Sequence, residues 1–246
     1  MSLRIYKPAS FPRIIIIFFK QDHVNATLCL KNASSYTQLN RLMKTFLLII
    51  ACLYLTGCAS SKFTTVINNK TPYPYGKIMV LTIESNNDFY QLDSSSYSNT
   101  IQRSFNKIDN FDFRKQLERT VDKNLSSQNT SILKSSDFFQ PNSETSYHDF
   151  LKALKESDAE AVLILNLKNY WNSNSYTINN NVISENQKPN ALFIGYLVDL
   201  KDNKVVWAAK AVINAITIAG YDTLNSKLAN KLGDNLSRGN YLYPKQ

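Results

Sequence analysis

The stretch that decides the fold runs Ala191-Leu192-Phe193-Ile194-Gly195-Tyr196-Leu197-Val198-Asp199-Leu200-Lys201-Asp202-Asn203-Lys204-Val205-Val206-Trp207-Ala208-Ala209-Lys210-Ala211-Val212-Ile213. Two apolar runs, Leu192–Leu200 and Val205–Ile213, flank a short polar break. Runs of this length and make-up read as strands. Asp202-Asn203 supplies residues that tolerate the left-handed conformations of a tight turn, so the two runs predict an antiparallel hairpin. Its register sets Val198 across from Trp207.

N-terminal to this hairpin, Ala161–Leu165 is a continuous apolar strand. It runs on with alternation through Leu167 to Tyr170-Trp171. Residues 172–190 hold seven Asn and predict a polar loop. Ile78–Ile83 reads as a strand buried on both faces, and Thr130–Leu133 as a short one. Helical spacing appears four times. Tyr97, Ile101, Phe105 and Ile108 predict a short helix. Asp112 is placed to cap a helix with Phe113, Leu117, Val121 and Leu125 on one face. Ser146 and Asp149 form a capping pair ahead of Tyr147, Phe150, Leu151 and Leu154. Leu224, Leu228, Leu232 and Leu236 mark a last helix with Gly239 as its C-cap. The expected fold is α+β in two layers. A mixed sheet of about five strands carries three or four helices over residues 77–240, followed by a tail, 241–246.

The chain has 246 residues and a formal charge of +9, from 28 Lys+Arg and 19 Asp+Glu. Six of those units lie in residues 1–57, where seven basic residues face only Asp22. The remaining residues carry +3, with the basic residues dispersed, so nucleic-acid binding is not expected. A 43% hydrophobic composition with 6 Gly and 7 Pro excludes a wholly disordered or collagen-like chain.

The basic quarter has its own organisation. Met43-Lys44-Thr45 is followed by ten apolar residues, Phe46 to Leu55, and then Thr56-Gly57-Cys58-Ala59-Ser60-Ser61. A charged start, a short apolar run and small residues at a cleavage point make a secretory signal. Ten residues span only ~15 Å as a helix, against the ~30 Å of a bilayer core. Leu55-Thr56-Gly57-Cys58 resembles the lipobox of bacterial lipoproteins. The resemblance implies that the Cys58 thiol receives a diacylglyceryl group and that signal peptidase II cleaves before it. It implies palmitate-type acylation of the new amino terminus. Small residues at 56 and 57 fit a narrow cleft, and Leu55 an apolar subsite. Cleavage would remove Cys29 and Cys52 and leave Cys58 as the only thiol, so acylation accounts for the one cysteine an exported chain would keep. On this reading 43–57 is the signal peptide and 58–76, rich in Ser, Thr, Asn and Lys, a flexible tether. Residues 1–42 are an upstream extension before a true start at Met43; a long signal n-region is the alternative.

The phrases Ser157–Leu163, Tyr196–Leu200 and Lys204–Trp207, with the Leu-spaced last helix, resemble the domain of outer-membrane lipoproteins that activate penicillin-binding proteins. They also resemble the periplasmic domain of the curli-secretion lipoprotein. These resemblances imply a lipid-anchored, non-catalytic scaffold or regulator of an envelope complex, or else a subunit of an oligomeric secretion channel. Among lipoproteins, Ala59 and Ser60 after the cysteine favour the outer membrane, on its periplasmic face. The implied partners are the bilayer, through acylated Cys58, and an envelope protein.

An envelope hydrolase is the third class, and the residues argue against it. His148 is the single histidine after the signal, and no His/Cys/Asp cluster has metal-ligand spacing. No Gly-rich phosphate loop and no Gly-x-Ser-x-Gly elbow occur. Glu156, Asp158 and Glu160 cluster where a helix should end, and Asp199 and Asp202 flank a turn. No catalytic residue, metal or cofactor is therefore expected. Tyr170, Trp171 and Tyr176 border the Asn-rich stretch. They are either a partner-binding edge or the closure of the sheet's end.

Overall fold

The computed structural model describes residues 61–244 apart from 106–110, 142, 180–181 and 216–219. The extension, the signal peptide, Leu55, Thr56, Gly57, Cys58 and Ile108 lie outside the described residues. Strands β1 (Ser61–Asn68), β2 (Lys77–Glu84), β3 (Ser131–Lys134), β4 (Ala161–Asn179), β5 (Val182–Asp199) and β6 (Lys204–Asn214) form one sheet. Its order is β1-β6-β5-β4-β2-β3. The pairs β2–β3 and β2–β4 are parallel, and the other three are antiparallel. A short helix, α1, joins Ser94–Ser96, a π-helical stretch Tyr97–Gln102 and Arg103–Phe105. It is followed by α2 (Phe111–Leu125), α3 (Tyr147–Glu156) and α4 (Gly220–Arg238). The α+β class with a mixed sheet is as the sequence reads.

The layering is fuller than expected. Alternation along β2 sends Ile78 and Val80 to one face, with Leu117, Val121 and Leu125 of α2 and Leu224, Leu228, Leu232 and Leu236 of α4. Met79, Leu81 and Ile83 go to the other, with Tyr97, Ile101, Phe150 and Leu154 of α1 and α3. Helices on both faces make three layers. That is why β2 is apolar at successive positions: both of its faces are buried.

Four local readings are corrected. The stretch 58–76 is not all tether, because Ser61–Asn68 pairs with β6 as the sixth strand. Its composition is polar, but Phe63 stacks on Trp207 with ring centroids 6.1 Å apart. Trp207 faces Leu197 and not Val198, because a bulge between Leu197 and Val198 shifts the register and pairs Val198 with Val205. Asp112 lies within the first turn of α2, where its charge meets the helix dipole, not at the cap. The left-handed residue after α4 is Asn240 (φ 61°), not Gly239. Gly239 is needed for space, since a Cβ there would overlap the ring of Tyr241.

Ser146 caps α3 as read. Its hydroxyl accepts from the Asp149 amide at 3.1 Å and donates to the Asp149 carboxylate at 2.6 Å. That bond holds the Asp149 carboxyl below its ordinary range. Gly195 allows the indole of Trp207 to cross β5, where a Cβ would sit 3.1 Å from the ring.

Candidate functional site: the projecting ribbon and the uncovered sheet end

The Asn-rich stretch is strand and not loop. β4 and β5 pair from Ala161↔Asp199 to Asn179↔Val182, so only Asn180-Asn181 separate them. Asn-rich two-residue connections suit the left-handed turns that hairpins favour. Other strands flank this hairpin only at its base. β2 leaves β4 at Leu167, and β6 leaves β5 at Asn190. Beyond that line Trp171–Asn179 and Val182–Pro189 form a two-stranded ribbon, ~30 Å long at 3.3 Å per residue. Periodicity misses it because neither face is apolar. Asn172 and Asn174 on one face and Ser173 on the other are exposed.

The base of the ribbon is built to end the sheet. Asn190 is buried, and its side-chain amide donates to the carbonyls of Lys188 (2.7 Å) and Trp171 (3.4 Å) and to Ser173 Oγ (3.1 Å). The carbonyl of Pro189 points toward β6 and accepts from the Ala215 amide at 2.9 Å. The nitrogen of Pro189 lies on that same side. β6 ends at Asn214, so Pro189, which has no amide donor, stands just past the last ladder pair of β5 and β6.

The three aromatic residues expected at this edge do not share one surface. A bulge between Leu167 and Asn169 resets the alternation. Tyr170, paired with Ala191, then lies half-buried against the core that carries α2 and α4. Trp171, paired with Asn190, points to the opposite face and is 36% exposed. Tyr176 is on the Tyr170 face, but six residues out along the ribbon and 65% exposed. Tyr170 therefore closes the sheet, while Trp171 and Tyr176 reach solvent on different faces.

The acidic cluster is dispersed into local roles. Glu156 lies 3.9 Å from Lys152, and Asp158 3.4 Å from Lys77 at a left-handed turn position (φ 52°). Glu160 accepts the Gly76 amide at 2.5 Å. His148 is exposed beside Asp149. Asp199 accepts from the buried Tyr75 hydroxyl at 2.8 Å. Burial and this carboxylate push the phenol far above its ordinary range.

Sequence reading passed over one buried pair. Arg114 and Glu118, 1% and 0% exposed, lie one turn apart on α2 at 3.3 Å. Glu118 also accepts from the Thr82 and Ser136 amides and from Ser135 Oγ, while Arg114 donates to Ser135 Oγ and the Phe139 carbonyl. Burial lowers the guanidinium's affinity for its proton and Glu118 partly restores it. The pair ties α2 to β2 and to the turn after β3. The i,i+4 Arg/Glu spacing was visible in the sequence, but it is the ordinary pattern of a solvated helix face.

No protein-family profile matches the chain, and no curated protein matches it in sequence. Several solved structures share parts of its architecture. A point variant of the PelC dodecamer from Paraburkholderia phytofirmans has 10% identity and a TM-score of 0.39, covering 74% of this chain and 98% of that one. Protein XCC0632 from Xanthomonas campestris, of family DUF330, has 10% identity and a TM-score of 0.30, covering 72% and 94%. A minor lipoprotein from Acinetobacter baumannii has 10% identity and a TM-score of 0.24, covering 67% and 91%. At these identities and TM-scores the chain's own residues carry the functional reading.

Proposed function

We propose that this chain is a lipid-anchored cell-envelope protein whose domain acts without catalysis, as a scaffold or regulator of an envelope complex. The observation that carries the reading is Leu55-Thr56-Gly57-Cys58 directly after Met43-Lys44-Thr45 and a ten-residue apolar run. A thiol at that position accepts lipid, and several acyl chains at ~0.8 kcal/mol per buried CH₂ hold a protein firmly on a bilayer. Ala59 and Ser60 fit sorting to the outer membrane, periplasmic face. The domain offers this role a compact body with the exposed Tyr176 surface as a partner site. Among the described residues, Glu156, Asp158 and His148 sit in local ion pairs, while Glu160 and Asp199 line one pocket beside Tyr75.

Intact mass of the membrane-extracted protein tests the anchor. The expected mass is that of a chain beginning at Cys58 with a diacylglyceryl group and an added acyl chain. C58S should remain unprocessed. A mature protein that keeps Arg4 or Lys20 would overturn the reading.

The projecting ribbon favours a second reading, a subunit of a ring-shaped secretion assembly, because a hairpin standing free of its sheet can pair with a neighbour. It lacks the outward apolar band that a membrane-crossing strand pair needs, so such a ring would assemble beside the bilayer. Mass photometry of the detergent-extracted protein separates the two. A monomer favours the scaffold, and a closed oligomer that is lost when Ser175–Asn186 is replaced by Asn-Gly favours the ring.

A further inference from the structure

Among the described residues, the sheet is left uncovered on one face where the chain toward Cys58 departs. Ser61 of β1 pairs with Ile213, Ile213 with Ala191, and Ala191 with Tyr170, so these four residues form one row across the sheet. Toward its N-terminus, β1 runs in the direction in which the ribbon leaves the sheet. Cys58 is three residues before Ser61. At no more than ~3.6 Å per residue it lies within ~11 Å of that row. Trp171 stands one residue beyond it.

On the face opposite α2 and α4, helices α1 and α3 cover the end of the sheet far from this row. Near the row no described helix covers the face. Lys62 pairs with Val212 and Val212 with Leu192, and the next residues on the same face are Lys210, Lys188 and Trp171. The three lysines are exposed, and Leu192 and Val212 are partly buried. Among the described residues none of these lysines is in an ion pair. The rows that carry them hold no acid; Glu185 pairs with Tyr176 on the ribbon's other face, and the nearby Asp88 is taken by Lys168 at 3.4 Å. Unpaired cations around an indole and aliphatic side chains are the make-up of a surface that rests on anionic headgroups.

We infer that this face, centred on Lys62, Lys188, Lys210 and Trp171, lies against the anionic phospholipid surface of the membrane that holds Cys58. The inference rests on the anchor proposed above. With Lys62 only four residues from the acylated cysteine, the anchor has no slack to carry the domain away, and the lysines fix which side turns to the lipid. The domain then sits flat, with Tyr176 and the helices of α2 and α4 turned toward partners.

Two tryptophans make the test direct, since Trp207 is 1% exposed and Trp171 reports the face. The full chain is produced with its signal, extracted in detergent and weighed. It is then reconstituted into vesicles of phosphatidylcholine alone, or with phosphatidylglycerol, containing brominated lipid as quencher. Trp171 should be quenched in the phosphatidylglycerol vesicles. W171F should remove that quenching, and K62E/K188E/K210E should reduce it at least about twofold. A lipidated protein with Trp171 unquenched, or quenched equally in the charge-reversed variant, overturns the inference and leaves the face to a protein partner. An unmodified mass overturns the anchor instead. The same protein is then added to the vesicles from outside. Salt-sensitive binding weakened roughly a hundredfold by the three reversals would still support the face, and no binding would overturn it.

Discussion

At the scale of single residues, the buried Arg114–Glu118 pair shows how little a charge's sequence position says about its role. A carboxylate without solvent contact must find partners for its lone pairs, and Glu118 has them in Arg114, two backbone amides and one hydroxyl. Glu118→Ala strands all of these donors and leaves the guanidinium unpaired in the interior. The expected loss is about 3–5 kcal/mol, read as a fall in the urea midpoint at unchanged slope. Replacing both members with apolar residues of similar volume should cost far less than Glu118→Ala, because no charge is then left unpaired. A double variant as unstable as the single one would mean that the hydrogen bonds to Ser135, Ser136 and Thr82 dominate, and not the ion pair.

At the scale of elements, β1 and the ribbon were the parts composition could not reveal. Ser61–Asn68 reads as a tether because Lys62, Thr64 and Thr65 face solvent; its strand character comes from pairing with β6 and from Phe63 on Trp207. Phe63→Ala should therefore cost about 2 kcal/mol, whereas a substitution within a flexible tether would cost nothing; urea unfolding decides. The ribbon escaped notice for the complementary reason. Its fold information lies in backbone pairing across a two-residue connection, not in an apolar stripe. Replacing Ser175–Asn186 with Asn-Gly keeps the pair Asn174↔Gln187 and every bond of Asn190. The melting temperature should change by no more than about 4 °C, because no third strand pairs with the removed segment. Elements that bury an apolar stripe were legible throughout: β2, the base of β4, the β5–β6 hairpin, and α2, α3 and α4. The aromatic edge was legible only as composition, since the bulge at Lys168 decides which face each ring takes.

At the scale of the whole molecule, buried phenols tie stability to alkaline pH. Burial raises Tyr75 and Tyr97 far above the ordinary tyrosine range, and Tyr196 to about 12; carboxylates beside them, Asp199, Asp149 and Asp88, add to the effect. A group whose pKa is raised in the folded state favours the fold while the unfolded chain still holds its proton, that is, below about pH 10. Above that the unfolded phenols ionise first, and the contribution falls away as pH climbs through the folded values. Stability should be level from pH 7 to 9 and decline steeply from pH 10 upward, in urea titrations followed by circular dichroism. Tyr196→Phe should show a shallower alkaline decline than the wild type, because one linked proton is gone. An alkaline limb unchanged in Tyr196→Phe, Tyr75→Phe and Tyr97→Phe alike would assign the loss to charge repulsion across the surface instead of to the two cores.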